Sequence, residues 1–219
     1  MFLGHYGLAF AAKRAAPRTS LGTLTFAAQF LDELWPVLLL LGIEEVRVAP
    51  GLMTANALDF VRYPISHSLL TAMLWGALIG GAYYAVRRTR GAAAVVGALV
   101  VSHWLLDVPM HRPDLPLWPG SSPLIGFGLW NSLAATVLIE LGLFAAGLLV
   151  YLRGTRARDR TGRWAPWTLI IVLLIIFLGS LAGAPPPSAR AVALSALGLW
   201  LFVPWAAWID RHREPLMAT

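Results

Sequence analysis

Two histidines and two aspartates lie close together in the segment 102–114, SHWLLDVPMHRPD. The four are His103, Asp107, His111 and Asp114. His103 and Asp107 are four residues apart, so a helix places them on one face. Pro109 and Pro113 are expected to end that helix, so the second His–Asp pair falls on a loop that folds back over the same face. Imidazole and carboxylate groups gathered in this way suit a divalent metal ion; otherwise they form a polar helix end with local hydrogen bonds.

The composition around this motif is that of an integral membrane protein. Of the 219 residues, 58% are hydrophobic and only 13% are charged, and the mean hydropathy is +0.68. These values are far from those of an average soluble domain. The chain has no Cys, which excludes thiolate metal sites, disulfides and Cys nucleophiles. Ten Trp and five Tyr supply the amphipathic rings that favour membrane interfaces.

Six hydrophobic segments are long enough to cross a bilayer, which takes about 20 residues. The predicted spans are residues 21–43, 65–86, 91–108, 125–152, 166–182 and 189–209. Residues 2–12 are apolar but too short to span and are predicted to form a half-helix or re-entrant segment. We therefore predict an all-α polytopic membrane helical bundle, a single membrane-embedded domain over residues 1–219. Residues 1–152 carry the site, and residues 164–210 form two accessory spans.

Two connecting segments have their own character. Residues 44–64 are amphipathic, and we predict that Leu52, Phe60 and Tyr63 lie along the membrane interface. Residues 109–124 are predicted to form a Pro-rich loop. The sequence contains no internal repeat, and no segment has the composition of a soluble domain.

The distribution of basic residues predicts the topology. When the six spans alternate sides, thirteen of the 17 basic residues fall on the side of the cluster at residues 13–18. The positive-inside rule assigns that side, with both termini, to the cytoplasm. The net charge of +6 is then an orientation signal, so the expected partner is the lipid bilayer and no nucleic acid is expected.

Depth in the membrane brings the polar residues of different spans together. At about 1.5 Å per helical residue, Asp32, His67, His103 and Glu140 fall at compatible depths in the outer half of the bilayer. They can surround one cavity open to the extracytoplasmic side. His5 reaches that cavity only if the half-helix packs inside the bundle. Because each ionisable group at such depth costs about 3 kcal/mol or more unless it is paired, a shared site is the expected use.

The predicted metal ligands are His5, Asp32, His67, His103, Asp107 and His111. They match zinc, and manganese or iron would accept the same ligands. A bound metal can lower the pKa of water to about 7 and polarise a phosphoryl or acyl oxygen, which is hydrolytic chemistry. Three residues are predicted to assist: Asp32 or Glu140 as general base or ligand of a second metal, and Arg112 as a clamp for an anionic substrate group.

Five parts of the sequence resemble the bacterial membrane-bound metal-dependent hydrolases, whose larger relatives include LexA-binding, inner-membrane-associated hydrolase-like proteins. They are the early His5, QFLDELWP (29–36), YPISHSLL (63–70), SHWLLDVPMHRPDLPL (102–117) and GLWNS (128–132). The resemblance covers about residues 3–145. It implies ligand or catalytic roles for His5, Asp32, His67, His103 and Asp107, and a place in the inner membrane of a bacterium.

A fainter likeness is to zinc-dependent phospholipase C and the related zinc-dependent single-strand nucleases. In them an N-terminal ligand, an Asp, a His, an HxxxD pair and a further His follow in the order seen here. Those enzymes usually add an HxxxE pair, whereas Thr136 stands four residues before Glu140 in this chain. This departure puts a third metal ion in doubt. Those enzymes are also soluble.

The sequence thus predicts an integral membrane metal-dependent hydrolase of a phosphoester or ester, in a small molecule or a lipid. Two alternatives stay open: a transporter or ion- or proton-conducting protein that uses the same buried groups, and a scaffold in which they are structural. The transporter predicts inverted repeats or interrupted spans in both halves, and the sequence has neither. Whether His5, Asp114 and Asn131 join the site also stays open, as does the role of the last two spans.

Overall fold

The computed structural model describes residues 1–216, and most of them are helical. The helices are α1 (Leu3–Ala15), α2 (Leu21–Leu40), α3 (Leu69–Arg87), α4 (Arg90–Met110), α5 (Leu133–Gly154), α6 (Arg160–Ala182), α7 (Ala189–Ala196) and α8 (Phe202–Arg211), with 3-10 turns at Leu129–Asn131 and Leu197–Leu201. The second 3-10 turn joins α7 and α8 into one span. Six segments of the described chain are long and apolar enough to cross a membrane, which confirms the predicted all-α polytopic bundle.

Three antiparallel two-stranded sheets lie at the ends of the bundle. The strands are β1 (Glu45–Val48), β2 (Leu58–Arg62), β3 (Leu115–Pro116), β4 (Leu124–Ile125), β5 (Thr155–Ala157) and β6 (Arg213–Pro215). They pair as β1 with β2, β3 with β4, and β5 with β6.

Several helix boundaries differ from the predicted spans for local reasons. The first span ends at Leu40, because the chain turns through Gly42, whose φ is 69°. α3 begins after the predicted start because Ser68 caps it, accepting a hydrogen bond from the backbone of Thr71. α5 begins at Leu133, since residues 124–131 form β4 and a 3-10 turn. In contrast, α6 begins earlier than predicted, at Arg160 and not at residue 166.

Pro109 does not end α4 as we expected. The helix continues to Met110, and the backbone N–H of His111 still donates to the Asp107 carbonyl at 2.9 Å. Pro109 lies in the last turn, where a missing backbone donor removes one hydrogen bond and leaves the turns before it intact.

The N-terminal half-helix packs inside the bundle, against α5, α2 and α4. Its closest approach is to α5: a Cβ added to Gly147 would collide with the carbonyl of Gly7. Only glycine lets two helix backbones come so near. The condition under which His5 can reach the predicted site is therefore met.

The basic clusters collect at one end of the bundle. Lys13 Nζ donates to Asp210 Oδ2 at 2.7 Å, so the ends of α1 and α8 meet. At the same end, Thr19 and Tyr83 are hydrogen-bonded at 2.8 Å and β5 pairs with β6. The spans therefore alternate as predicted. That this end faces the cytoplasm stays a prediction from the positive-inside rule.

The opposite end is covered by residues 44–64, which form the β1–β2 hairpin and not an interfacial loop. The prediction was wrong for Phe60 and Tyr63. The ring of Phe60 lies 4.8 Å from that of His111, and Tyr63 is only 2% exposed, because both rings pack on the polar interior. Leu52, in contrast, is 38% exposed.

Candidate metal centre

Three histidines and two aspartates converge in the bundle interior. His5 comes from α1, Asp32 from α2, His67 from the turn before α3, and His103 and Asp107 from α4. Their ligand atoms form two overlapping triads, each within 4.8 Å: His5, His103 and Asp107, and Asp32, His67 and His103. All but Asp32 are nearly inaccessible to solvent. We call these five residues the metal cluster.

The donor atoms of the metal cluster have the spacing of a coordination site. His103 Nε2 lies 3.3 Å from Asp107 Oδ2 and 3.6 Å from Asp32 Oδ1. His67 Nε2 lies 3.4 Å from the same Asp32 oxygen and 3.9 Å from the same Asp107 oxygen. Two ligands of a tetrahedral zinc ion, each about 2.0–2.1 Å from it, are about 3.3–3.4 Å apart. The residues therefore fit a zinc ion by donor type and by spacing.

Further hydrogen bonds orient two of the histidines. His103 Nδ1 donates to the carbonyl of Ala28 at 2.7 Å, and His67 Nδ1 donates to Ser66 Oγ at 2.7 Å. The directions follow because a carbonyl can only accept and because Ser66 gives its one proton to Glu44 Oε2 at 2.6 Å. With Nδ1 protonated, each neutral ring directs the lone pair of Nε2 into the metal cluster, as in zinc sites. Nε2 of His103 is buried and has no hydrogen-bond partner, so it is a free donor for a metal.

His103 is shared by the two triads, and Asp107 links His5 to both. The rings of His5 and His103 stack with centroids 3.6 Å apart. His5 Nε2 lies 3.1 Å from Asp107 Oδ1, which also accepts a hydrogen bond from the Met1 amine at 2.5 Å. The other oxygen of Asp107 faces His67 and His103. His103 has one free ring nitrogen, so only one ion can use it.

His111 lies beside the metal cluster and belongs to neither triad. Its Nδ1 is 2.9 Å from Asp114 Oδ1, and that oxygen also accepts a hydrogen bond from the Tyr63 hydroxyl at 2.9 Å. Burial lowers the pKa of His111, and burial together with the Asp114 charge raises the pKa of Tyr63. The loop folds back as predicted, but His111 and Asp114 pair with each other. Ligation by His111 stays a prediction.

Glu140 anchors α1 at the edge of the site. Its Oε1 accepts from the backbone N–H of Phe2 at 2.8 Å, and its Oε2 accepts from that of Gly4 at 2.9 Å. Backbone donors at the start of a helix lack partners within the helix, so this carboxylate satisfies them. Glu140 lines the same cavity as Asp32, which leaves its predicted catalytic role untested.

Arg112 lies outside the metal cluster. Its guanidinium pairs with Asp59 and, at 3.2 Å, with Asp114, and it does not line the cavity. The predicted clamp is thus engaged by protein carboxylates. Asn131 is exposed, and its carbonyl accepts a hydrogen bond from Thr54 at 3.0 Å, so it lies outside the metal cluster.

The metal cluster opens into a cavity of about 560 Å³. Polar residues line its inner part: Asp32, His67, Asp107, His111, Thr136 and Glu140. The β1–β2 connection and the α6–α7 region form much of the remaining wall, together with Met1, Phe2, Trp35, Phe60 and Trp130. The size is within the usual range for small-molecule sites.

The sequence did not reveal Glu44 and Ser66. Glu44 Oε1 accepts from the backbone of Ile65 and of Ser66, both at 2.8 Å, and its Oε2 accepts from Ser66 Oγ. A Ser directly before a candidate ligand such as His67 was a usable signal. Glu44 gave none, because the hairpin that brings it to the turn could not be read from local sequence.

Comparison with known proteins identifies the family. The sequence profile of the YdjM inner membrane proteins matches residues 4–185. The chain belongs to the YdjM inner membrane protein family. The matched region contains the whole metal cluster, and with the six spans it supports a multi-pass inner membrane protein. No curated protein and no solved structure matches the chain, so the likeness to zinc-dependent phospholipase C and nucleases stays a prediction.

Proposed function

We propose that this YdjM family protein is a metal-dependent hydrolase of phosphoesters or esters and that its ion is zinc. One observation carries the proposal: imidazole nitrogens and carboxylate oxygens alternate at 3.3–3.9 Å in a buried cluster, with no hydrogen-bond partner for His103 Nε2. Four residues would hold the ion: Asp32, His67, His103 and Asp107. His5 would act through Asp107, which it contacts, or take the place of one of these four ligands.

Zinc held there would supply a water with a pKa of about 7 and a positive charge to polarise the ester oxygen. Asp32 is the residue that we assign to proton transfer, since its side chain is 23% exposed and lines the cavity, whereas that of Asp107 is 2% exposed. Glu140 uses both oxygens on the α1 backbone and therefore positions α1. The aromatic rings of Trp35, Phe60 and Trp130 line the same cavity and exclude bulk water.

The charges in the cavity favour a metal-dependent mode of substrate binding. Asp32, Asp107 and Glu140 line it, the Met1 amine offsets the charge of Asp107, and no Lys or Arg side chain lines it within residues 1–216, so negative charge remains in excess. An anionic phosphoester is repelled by these carboxylates until a cation neutralises part of their charge. The ion would then recruit the substrate as well as activate water.

Elemental analysis of protein purified without added metal tests the proposal. We expect stoichiometric zinc in the wild type and in His212→Ala, a control at the other end of the bundle. His103→Ala and Asp107→Ala should contain none. Hydrolysis of bis(p-nitrophenyl) phosphate or p-nitrophenyl butyrate should appear with zinc and be lost in the same two variants. Full zinc content in both variants would refute the metal site, and the scaffold alternative would then stand.

Ion or proton conduction is the second candidate, and a group of buried polar side chains next to the metal cluster favours it. Tyr6, Gln29 and Glu33 are at most 1% exposed, and their side-chain polar atoms have no hydrogen-bond partners. Glu33 lies about 100° around α2 from Asp32, so it could extend a polar path. Ion flux in liposomes that Glu33→Gln abolishes, without zinc-dependent hydrolysis, would favour conduction over hydrolysis.

A further inference from the structure

The cavity at the metal cluster has a second part with a different character. Beyond the carboxylates, its wall is formed by the end of α6, the turn that follows and the start of α7. The side chains there include Ile176, Phe177, Leu181, Pro185 and Val192, and none of the lining residues between 176 and 195 is charged. A polar reaction centre is thus continuous with an apolar chamber.

This apolar chamber also reaches the outer surface of α6. Ile176 lines the cavity and is nevertheless 40% exposed. It belongs to α6, which is long and apolar enough to span the bilayer. A Cβ added to Gly179, one turn further along and also in the cavity wall, would meet no atom within 4 Å. The cavity therefore extends to the outer surface of α6, where an acyl chain could enter from the bilayer.

We propose that the apolar chamber holds the alkyl chain of a membrane phospholipid whose phosphoester head lies at the metal cluster. This substrate class rests on the proposed hydrolase function. A chain that moves from the bilayer into the chamber leaves one apolar medium for another, so its transfer costs little. The phosphoester head, in contrast, would be attracted by the metal ion in a cavity otherwise lined by carboxylates. The last two spans then form the substrate wall, a role that the sequence left open.

A water-soluble phosphoester accounts less well for the same features. It would need polar groups to fix its body, yet the chamber beyond the metal cluster offers only Ser180 and Ser195. The exposed hairpin residues Gly51 and Thr54 would admit it from the water phase, but it would make no use of the exposed cavity wall at Ile176 and Gly179 on a spanning helix.

Photocrosslinking in nanodiscs tests the chamber without depending on turnover. The probe is phosphatidic acid with a diazirine near the end of one palmitoyl chain, in unlabelled phosphatidylcholine with zinc present. Crosslinks should map to residues 176–195. Gly179→Leu places a side chain in the space that the acyl chain would use and should reduce that yield about tenfold, equal to a cost near 1.4 kcal/mol for chain entry.

Gly142→Leu is the matched control. Gly142 is a helical glycine of α5 where an added Cβ would also meet nothing within 4 Å, but it does not line the cavity. This variant should keep the wild-type crosslink yield. Equal yields from Gly179→Leu and Gly142→Leu, or crosslinks spread evenly over the lipid-facing helices, would overturn the proposal.

Turnover measured on the same samples separates the two hypotheses. If residues 176–195 crosslink as expected but no phosphoester is hydrolysed, the chamber stands and the proposed hydrolase fails. If bis(p-nitrophenyl) phosphate is hydrolysed with zinc but the lipid does not crosslink there, the lipid substrate fails and the hydrolase stands.

Discussion

Ser66→Ala tests whether the hydrogen bonds behind His67 exist to hold a metal ligand. Ser66 Oγ lies between His67 Nδ1 at 2.7 Å and Glu44 Oε2 at 2.6 Å. Removing the hydroxyl leaves the imidazole of His67 without the acceptor that fixes its protonated nitrogen. The ring is then free to change its tautomer and to turn Nε2 away from Asp32.

The size of the effect can be worked out from these contacts. Loss of an outer-shell partner typically weakens metal affinity 10–100-fold, equal to about 1.4–2.8 kcal/mol. We therefore expect the zinc Kd of Ser66→Ala to rise about 10–100-fold. Glu44 keeps its two hydrogen bonds from backbone N–H groups, so the turn should persist. The loss of folding stability should be about 1–3 kcal/mol.

The assay is a zinc titration against a chromogenic chelator, with thermal unfolding measured in parallel. Ser68→Ala is the control, because Ser68 flanks His67 on the other side, is equally buried and caps α3. It should lower stability by about 1 kcal/mol and leave the zinc Kd unchanged. The reasoning fails if Ser66→Ala binds zinc within about twofold of the wild type, or if the control weakens zinc binding as much.

Three further variants test how the bundle supports the site. Gly147→Leu should displace α1 and lower the zinc content, because its side chain would collide with the α1 backbone. Gly142→Leu on the same helix should retain zinc. Equal zinc content in the two variants would contradict the proposed role of α1. Glu33→Leu should raise the thermal unfolding temperature, because it removes the cost of about 1–3 kcal/mol of burying a carboxylate without a hydrogen-bond partner. A lower unfolding temperature would argue against an unpaired Glu33. Lys13→Met leaves Asp210 without its cation and should lower the free energy of unfolding by about 3–5 kcal/mol. The double variant Lys13→Met, Asp210→Leu should restore most of that loss. Additive losses from the two substitutions would refute a coupled pair.

Much of the fold was accessible from the sequence, because membrane spans follow from long apolar runs and their basic ends. The pairing of His103 with Asp107 needed only the helical period. Asp32 and His67 could be added to the predicted site because a spanning helix determines how deep each of its residues lies in the bilayer. Residues far apart in the chain can then be compared by depth. The features that could be predicted depend either on local sequence or on depth in the bilayer.

The remaining features depend on contacts that no local pattern encodes. Arg112 was predicted to meet substrate, but Asp59, which the hairpin brings to it from a distant part of the chain, takes its guanidinium. Glu44 reaches Ser66 through the same hairpin. The β-strands there are short and exposed on one side, so their pairing gave no signal that could be distinguished from an interfacial loop.

The Glu140 carboxylate has a consequence for how the protein is made. It accepts the backbone hydrogens of Phe2 and Gly4, yet it is translated more than 130 residues after them. At the usual speed of a ribosome, that interval is on the order of ten seconds. During it the beginning of α1 lacks its acceptor and has no stable place among the lipid tails. α1 is therefore made well before the helix that anchors it, and His5 can take its place beside Asp107 only once α5 has been inserted.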